Sequence, residues 1–257
     1  MGICESKETS SSTTTNKKLQ TCAFAENIAS FFTYIFKSKK QQTCPLTPEN
    51  IASFANYNEC PVRNLGTCDK WRNDRVPEYD VVNAKYLLQK TQKHSPDSLE
   101  KSVENLIKTW ESEILHKLVP EQIGTIDMKQ FSVATNNKTA YNVGEFMEKG
   151  SYCCLLEGMK HPVMEMNFDE GTEYFEEKFK TGFAWEVIKV FSGPPKVAFS
   201  WRHWAHLDTK SLQEEEDGKG KLLEVFGFVK ANTTEDGKLQ DVEVFFDQEK
   251  FLADLEG

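Results

Sequence analysis

Apolar residues recur with a helical period through the first half of this chain and with a strand period through much of the second. Phe24, Ile28, Phe31, Phe32 and Ile35 fall at helical spacing and are followed by Lys37, Lys39 and Lys40. Leu99, Val103, Leu106, Ile107, Trp110 and Ile114 repeat that spacing, which predicts a helix reaching about Leu118. Its start is read at Ser95-Pro96-Asp97, a capping hydroxyl, a proline for the first helical position and an early acid. Residues 71–86 read as irregular and then helical, 143–156 as a helix ending in small and aromatic residues such as Tyr152, and 170–178 as a charged helix with a solvated face.

Strand signals dominate from residue 183 onward. Aromatic and β-branched runs at 183–191 and 197–204 flank the breaker cluster Ser192-Gly193-Pro194-Pro195, a long hairpin. Two more strands, 221–230 and 239–247, join around Glu235-Asp236-Gly237, and 131–134 reads as a short strand. Side chains alternate faces along a strand, so Val197, Phe199, Trp201 and His203 share one face and Ala198, Ser200, Arg202 and Trp204 the other. Neither face is simply polar, which predicts that both are covered. Arg202 among large apolar neighbours needs an acidic partner, since an unpaired buried charge is very costly; Glu243 and Asp247 are the natural candidates. A curved, mainly antiparallel sheet wrapped on a long helix, with few polar groups inside, is an α+β fold enclosing a cone-shaped pocket.

Charge divides the chain unevenly. The first 70 residues carry +2 and the remaining 187 carry −11, with no basic stripe, so nucleic-acid binding is not expected. Seven cysteines, an odd number at scattered spacings, fit reduced thiols in the cytosol rather than a disulfide framework or a zinc site. Cys153-Cys154 reads as core. The opening MGICES fits N-myristoylation at Gly2, and Cys4 beside it offers a palmitoylation site. One acyl chain binds membranes marginally and two hold firmly, so the pair predicts peripheral attachment to a cytosolic membrane face. The organisation expected is a flexible acylated tether over 1–20, a partly disordered extension with two short similar helices over 21–70, and one α+β domain over 71–257. The similar helices come from a repeat: AENIASFFTY at 25–34 returns as PENIASFANY at 48–57, seven of ten positions identical.

Candidate chemistry is sparse. Glu113 and His116 stand three apart on the predicted helix, close enough to form an acid/base couple. His203 and His206 have a metal-like spacing, but on a strand their rings point to opposite faces, so no metal is expected. The pocket candidates are Trp110, Glu113, Tyr152, Trp185, Trp201, Arg202, Trp204 and Glu243.

WR…PEYDVVN at 71–83, SLEKSVENLIKTWESEILHK at 98–117, GSY..LL at 150–156, GFAWEVIKVFSGPPKVAFSWRHW at 182–204 and VEVFFD at 242–247 resemble the plant pathogen-related protein family. The match runs in order over roughly residues 71–250. The resemblance implies a cone-shaped α+β fold like nuclear transport factor 2 and the SnoaL-type polyketide cyclases, an association with defence, and no settled chemistry. SnoaL-like enzymes commonly use a pocket aspartate or histidine as acid/base, which by position implies Asp247, His203 or His116 here. Three readings follow: a membrane-tethered binder of a small apolar ligand, an enzyme (cyclase, isomerase or hydrolase) on the same scaffold, or an interaction protein forming a homodimer through its sheet. No cofactor is expected under any of them.

Overall fold

The computed structural model describes residues 63–66, 70–179, 182–207 and 221–257. Gly2 and Cys4, the repeat at 25–57 and the acidic stretch at 211–220 lie outside the described residues.

After a 3₁₀ turn at Arg72–Asp74, the chain forms helix α1 (Asp80–Gln89) and the long helix α2 (Leu99–His116). α2 begins three residues later than its sequence suggests. Ser98 rather than Ser95 is the cap: its hydroxyl accepts the Lys101 N–H at 3.2 Å and donates to the Ser95 carbonyl at 2.7 Å. Pro96 and Asp97 are spent in the turn that Ser98 closes. The apolar stripe packs as its spacing requires, with Val103, Leu106 and Ile114 buried. The polar side of the helix is buried too. There Glu104 accepts the Tyr86 hydroxyl of α1 at 2.9 Å and the Lys101 ammonium at 2.9 Å, and Thr109 accepts the Asn64 N–H at 3.1 Å. α1 and residues 63–66 therefore cover a face that sequence alone would leave in water.

Strands β1 (Ser132–Thr135) and β2 (Tyr141–Asn142) follow, then helices α3 (Val143–Lys149), α4 (Ser151–Leu155) and α5 (Phe168–Lys178). The single helix expected over 143–156 is broken at Gly150, whose φ of +86° glycine adopts without steric cost and a β-carbon would strain. Capping boxes at Asn142/Glu145 and Asn167/Glu170 start α3 and α5.

Four strands complete the sheet: β3 (Ala184–Ser192), β4 (Lys196–His206), β5 (Leu222–Thr233) and β6 (Leu239–Phe246). The order is β2-β1-β6-β5-β4-β3, antiparallel throughout except for β1 beside β6. Register shifts between Val187 and Lys189 and between Val190 and Ser192 bend the edge strand β3. Its free edge is capped by the loop after α1, where a His94 ring nitrogen lies 2.7 Å from the Val187 carbonyl. A last helix, α6 (Gln248–Glu256), starts at Asp247, whose carboxylate accepts the Lys250 N–H at 2.9 Å. The expected α+β architecture is present: the concave face of the sheet and α2 enclose one apolar core. Among the described residues no helix is long and apolar enough to cross a membrane.

Candidate functional site

Alternation along the strands decides what the concave face presents. Trp185 of β3, Phe199, Trp201 and His203 of β4, Val225 and Val229 of β5, and Val242, Val244 and Phe246 of β6 all point inward. With Ile107, Trp110 and Ile114 of α2 they wall a cavity of about 150 Å³. Its polar lining is limited to Glu111, Ser151, Tyr152 and His203. Glu111, Leu115, Ser151, Tyr152 and Phe183 also line a neighbouring cleft, so they form the mouth through which cavity and cleft meet.

Gly227 makes room for one wall. It pairs with Trp201 across β4 and β5, and a β-carbon there would lie 2.5 Å from indole Cε2 and 2.6 Å from the Phe245 carbonyl. The indole can lie flat over the strand only because that position carries no side chain.

Three buried ring nitrogens on the cavity wall have no hydrogen-bond partner among the described residues: Trp110 Nε1, Trp201 Nε1 and His203 Nδ1. His203 stacks against Phe183, ring centroids 3.5 Å apart. Burial pushes its imidazole well below the ordinary range; the Lys108 ammonium adds to this and a hydrogen bond to the Ala184 backbone opposes it. The ring is therefore neutral at physiological pH. Tyr152 stacks on Phe175 at 3.7 Å, and burial, reinforced by Glu111 and Glu176, raises its hydroxyl so that it stays protonated.

Of the candidates drawn from the sequence, Trp110, Tyr152, Trp185, Trp201 and His203 meet at this cavity. The others lie elsewhere. Arg202 and Trp204 project from the opposite face of β4. Arg202 pairs there with Glu186 at 2.9 Å and Glu224 at 2.5 Å, donates to the Gln89 carbonyl at 3.0 Å, and stacks 4.1 Å over the Trp204 ring. Trp204 is fully buried beneath α1, its indole donating to Gln89 Oε1 at 2.9 Å. The expected partners of Arg202 are out of reach because β5 stands between β4 and β6. Glu243 pairs instead with Lys230, directly across from it, and Asp247 is an exposed helix cap.

The Glu113–His116 couple does not form. Glu113 is held by Lys117 at 2.7 Å and accepts the Gly124 N–H together with the Thr125 N–H and hydroxyl, all within 3.1 Å. His116 faces the cleft edge-on to Tyr79, and burial, with Arg72 and Arg63 nearby, pushes it down to about 4. Cys153 and Cys154 are free thiols buried in the core.

Two residues, Glu111 at the mouth and Lys108 in the adjoining cleft, escaped the sequence reading. Glu111 had a signal, since it stands four after Ile107 and three before Ile114, a charge set in the apolar stripe. Lys108 had none, because nothing local marks its side of α2 as covered.

The convex face is open beyond α1. Phe191 and Phe226 are each 57% exposed there, with Phe228 and Phe245 beside them.

No family model matches the chain. In sequence it is similar to a protein of Hordeum vulgare called pathogen-related protein, 31% identical over 191 residues that cover 71% of this chain and 80% of that one. Solved structures with a related course include a putative SnoaL-like polyketide cyclase from Jannaschia (14% identity, 65% of this chain and 98% of that one, TM-score 0.34). Others are a putative polyketide cyclase from Acidithiobacillus ferrooxidans (12%, 63% and 98%, TM-score 0.37) and an NTF2-like protein from Burkholderia thailandensis (11%, 64% and 99%, TM-score 0.36).

Proposed function

The chain belongs to the pathogen-related protein family, and from that premise we propose that it is a stress- or defence-associated binder of small, largely apolar molecules, held at a cytosolic membrane face by its acylated N-terminus. The observation that carries the binding reading is the enclosed apolar cavity of about 150 Å³ with its polar mouth. An apolar cavity of about 150 Å³ stays dry and takes up benzene, so a ring of that size fits here while a substituent extends through the mouth. The nitrogens of Trp110, Trp201 and His203, unpartnered among the described residues, offer polar anchors to a ligand group of matching donor or acceptor character.

Titrating the protein with benzyl alcohol and larger apolar alcohols should quench tryptophan fluorescence and raise the melting temperature. Val244→Trp, which fills the cavity, should abolish both effects in a folded protein. Binding that survives Val244→Trp, or no binding across the panel, would refute the cavity as the site.

An enzymatic reading has one observation in its favour, the buried His203 inside the cavity, and it requires turnover that His203→Gln removes. A homodimer through the convex face has the exposed Phe191 and Phe226 in its favour. Light scattering that gives a monomer at all concentrations would end that reading.

A further inference from the structure

Lys108 is a buried amine with no counter-ion among the described residues. It is 2% exposed, and among the described residues no carboxylate lies within ion-pair distance of it. Its neighbours on α2 differ: Lys101 meets Glu104 at 2.9 Å and Lys117 meets Glu113 at 2.7 Å. The Lys108 ammonium stands instead 5.2 Å from the ring centroid of Trp185, a wall of the cavity, and its side chain lines the cleft beside Glu111, Tyr152 and Phe183 of the mouth. Burying an unpaired ammonium disfavours its charged form. Desolvation pushes this amine down to about 8; Glu111 and Glu104 oppose that, while Arg63 and Lys101 reinforce it. From β4, His203 faces the same group and is neutral.

We propose that Lys108 is a covalent capture site for small aldehydes and ketones, holding their carbonyl carbon as an imine while the apolar body of the ligand fills the cavity. This rests on the small-molecule reading of the cavity and adds the ligand class. An anionic ligand would suit an isolated ammonium equally well, but Glu78, Glu111, Glu173 and Glu176 line the same cleft and disfavour it. A neutral carbonyl compound meets no such barrier.

The chemistry closes on itself. The lone pair of the neutral Nζ attacks the carbonyl carbon, and the C=O π pair moves to oxygen, which takes up a proton. The nitrogen loses a proton to give the carbinolamine. The hydroxyl takes up a second proton and leaves as water as the nitrogen lone pair forms the C=N bond, and the iminium releases its remaining N–H proton. One amine and one carbonyl give one imine and one water, with no redox change. Glu111, at the mouth, is the carboxylate at hand to take and return these protons.

The test uses the full chain with benzaldehyde and sodium cyanoborohydride near neutral pH, followed by peptide mapping. Exposed lysines titrate near 10.4 and are almost wholly protonated there, so Lys108 should acquire the benzyl group at least about tenfold faster than they do. Excess benzyl alcohol should slow Lys108 but not Lys85, whose amine burial also pushes down to about 8 away from the cavity lining. The Lys108 rate should level off above about pH 8, whereas exposed lysines continue to accelerate. Lys108→Met should lose the adduct and still bind benzyl alcohol, which has no carbonyl. Should that variant misfold, Lys108→Arg keeps the charge and cannot form the imine. Labelling confined to exposed lysines, with Lys108 unmodified, overturns the proposal. Labelled Lys108 in a protein that fails to bind benzyl alcohol supports the amine and overturns the cavity reading, so the two fail separately.

Discussion

Arg202 is held from both neighbouring strands and from α1, and none of its partners touches the cavity. The strand period read from sequence assigned it to the same face as Trp204, correctly, but could not say which face was hollow. The consequence is measurable. Glu186, 1% exposed, keeps hydrogen bonds from Thr91 and Gln92 when Arg202 is removed but loses its only close cation among the described residues. Leaving one member of a buried ion pair uncompensated costs on the order of 3–5 kcal/mol. Arg202→Met should therefore lower stability by about that amount in urea unfolding, while binding of benzyl alcohol to the folded protein stays within about twofold of wild type. A large loss of affinity without loss of stability would return Arg202 to the site.

The β3–β4 hairpin and α2 were legible because each carries a long local signal: aromatic and β-branched runs at 183–191 and 197–204 around a breaker cluster, and a six-residue apolar stripe over 99–114. Among the short elements, β1 and α5 were read to within two residues at 131–134 and 170–178, whereas β2 and α6 were not read. Helix α6 is short and its buried stripe holds only three apolar residues, Phe251, Leu252 and Leu255, while the insertion of β1 parallel to β6 depends on pairing between distant segments that no local pattern encodes. Strand order in turn fixed the partners of Arg202, which is why those were misassigned while its face was not. Gly227 shows the same limit, since only the β4–β5 register reveals that it lies under Trp201. Gly227→Ala should force the indole off the strand and into the cavity. The expected cost is about 1–3 kcal/mol, the range for overpacking, together with weaker binding of apolar probes. Combining it with Trp201→Leu should cost less than the sum of the two single changes, because the clash they share disappears. Strict additivity in that double-mutant cycle would show that Gly227 and Trp201 are not coupled.

At the scale of the whole chain, net charge works against the proposed acyl tether. Residues after 70 carry −11, so anionic membrane surfaces repel the folded body, and nothing in its described helices spans a bilayer. Under that proposal, attachment would depend on acyl groups at Gly2 and Cys4 with any help from the lysines at 37, 39 and 40. A single myristoyl chain supplies an association constant of only about 10⁴ M⁻¹, marginal on its own, whereas a second chain adds roughly 0.8 kcal/mol per buried methylene and makes attachment durable. This predicts a graded result rather than an all-or-none one. In cells, wild-type protein should sediment with membranes. Cys4→Ser should spread between membrane and soluble fractions and leave the membrane on dilution. Gly2→Ala should be soluble, because an unmyristoylated chain seldom reaches the membrane where Cys4 would be acylated. Mass spectrometry of the N-terminal peptide supplies the covalent readout. An unmodified Gly2 in protein from its own source, or equal sedimentation of wild type and Gly2→Ala, would remove the tether and leave the cavity as the basis of function.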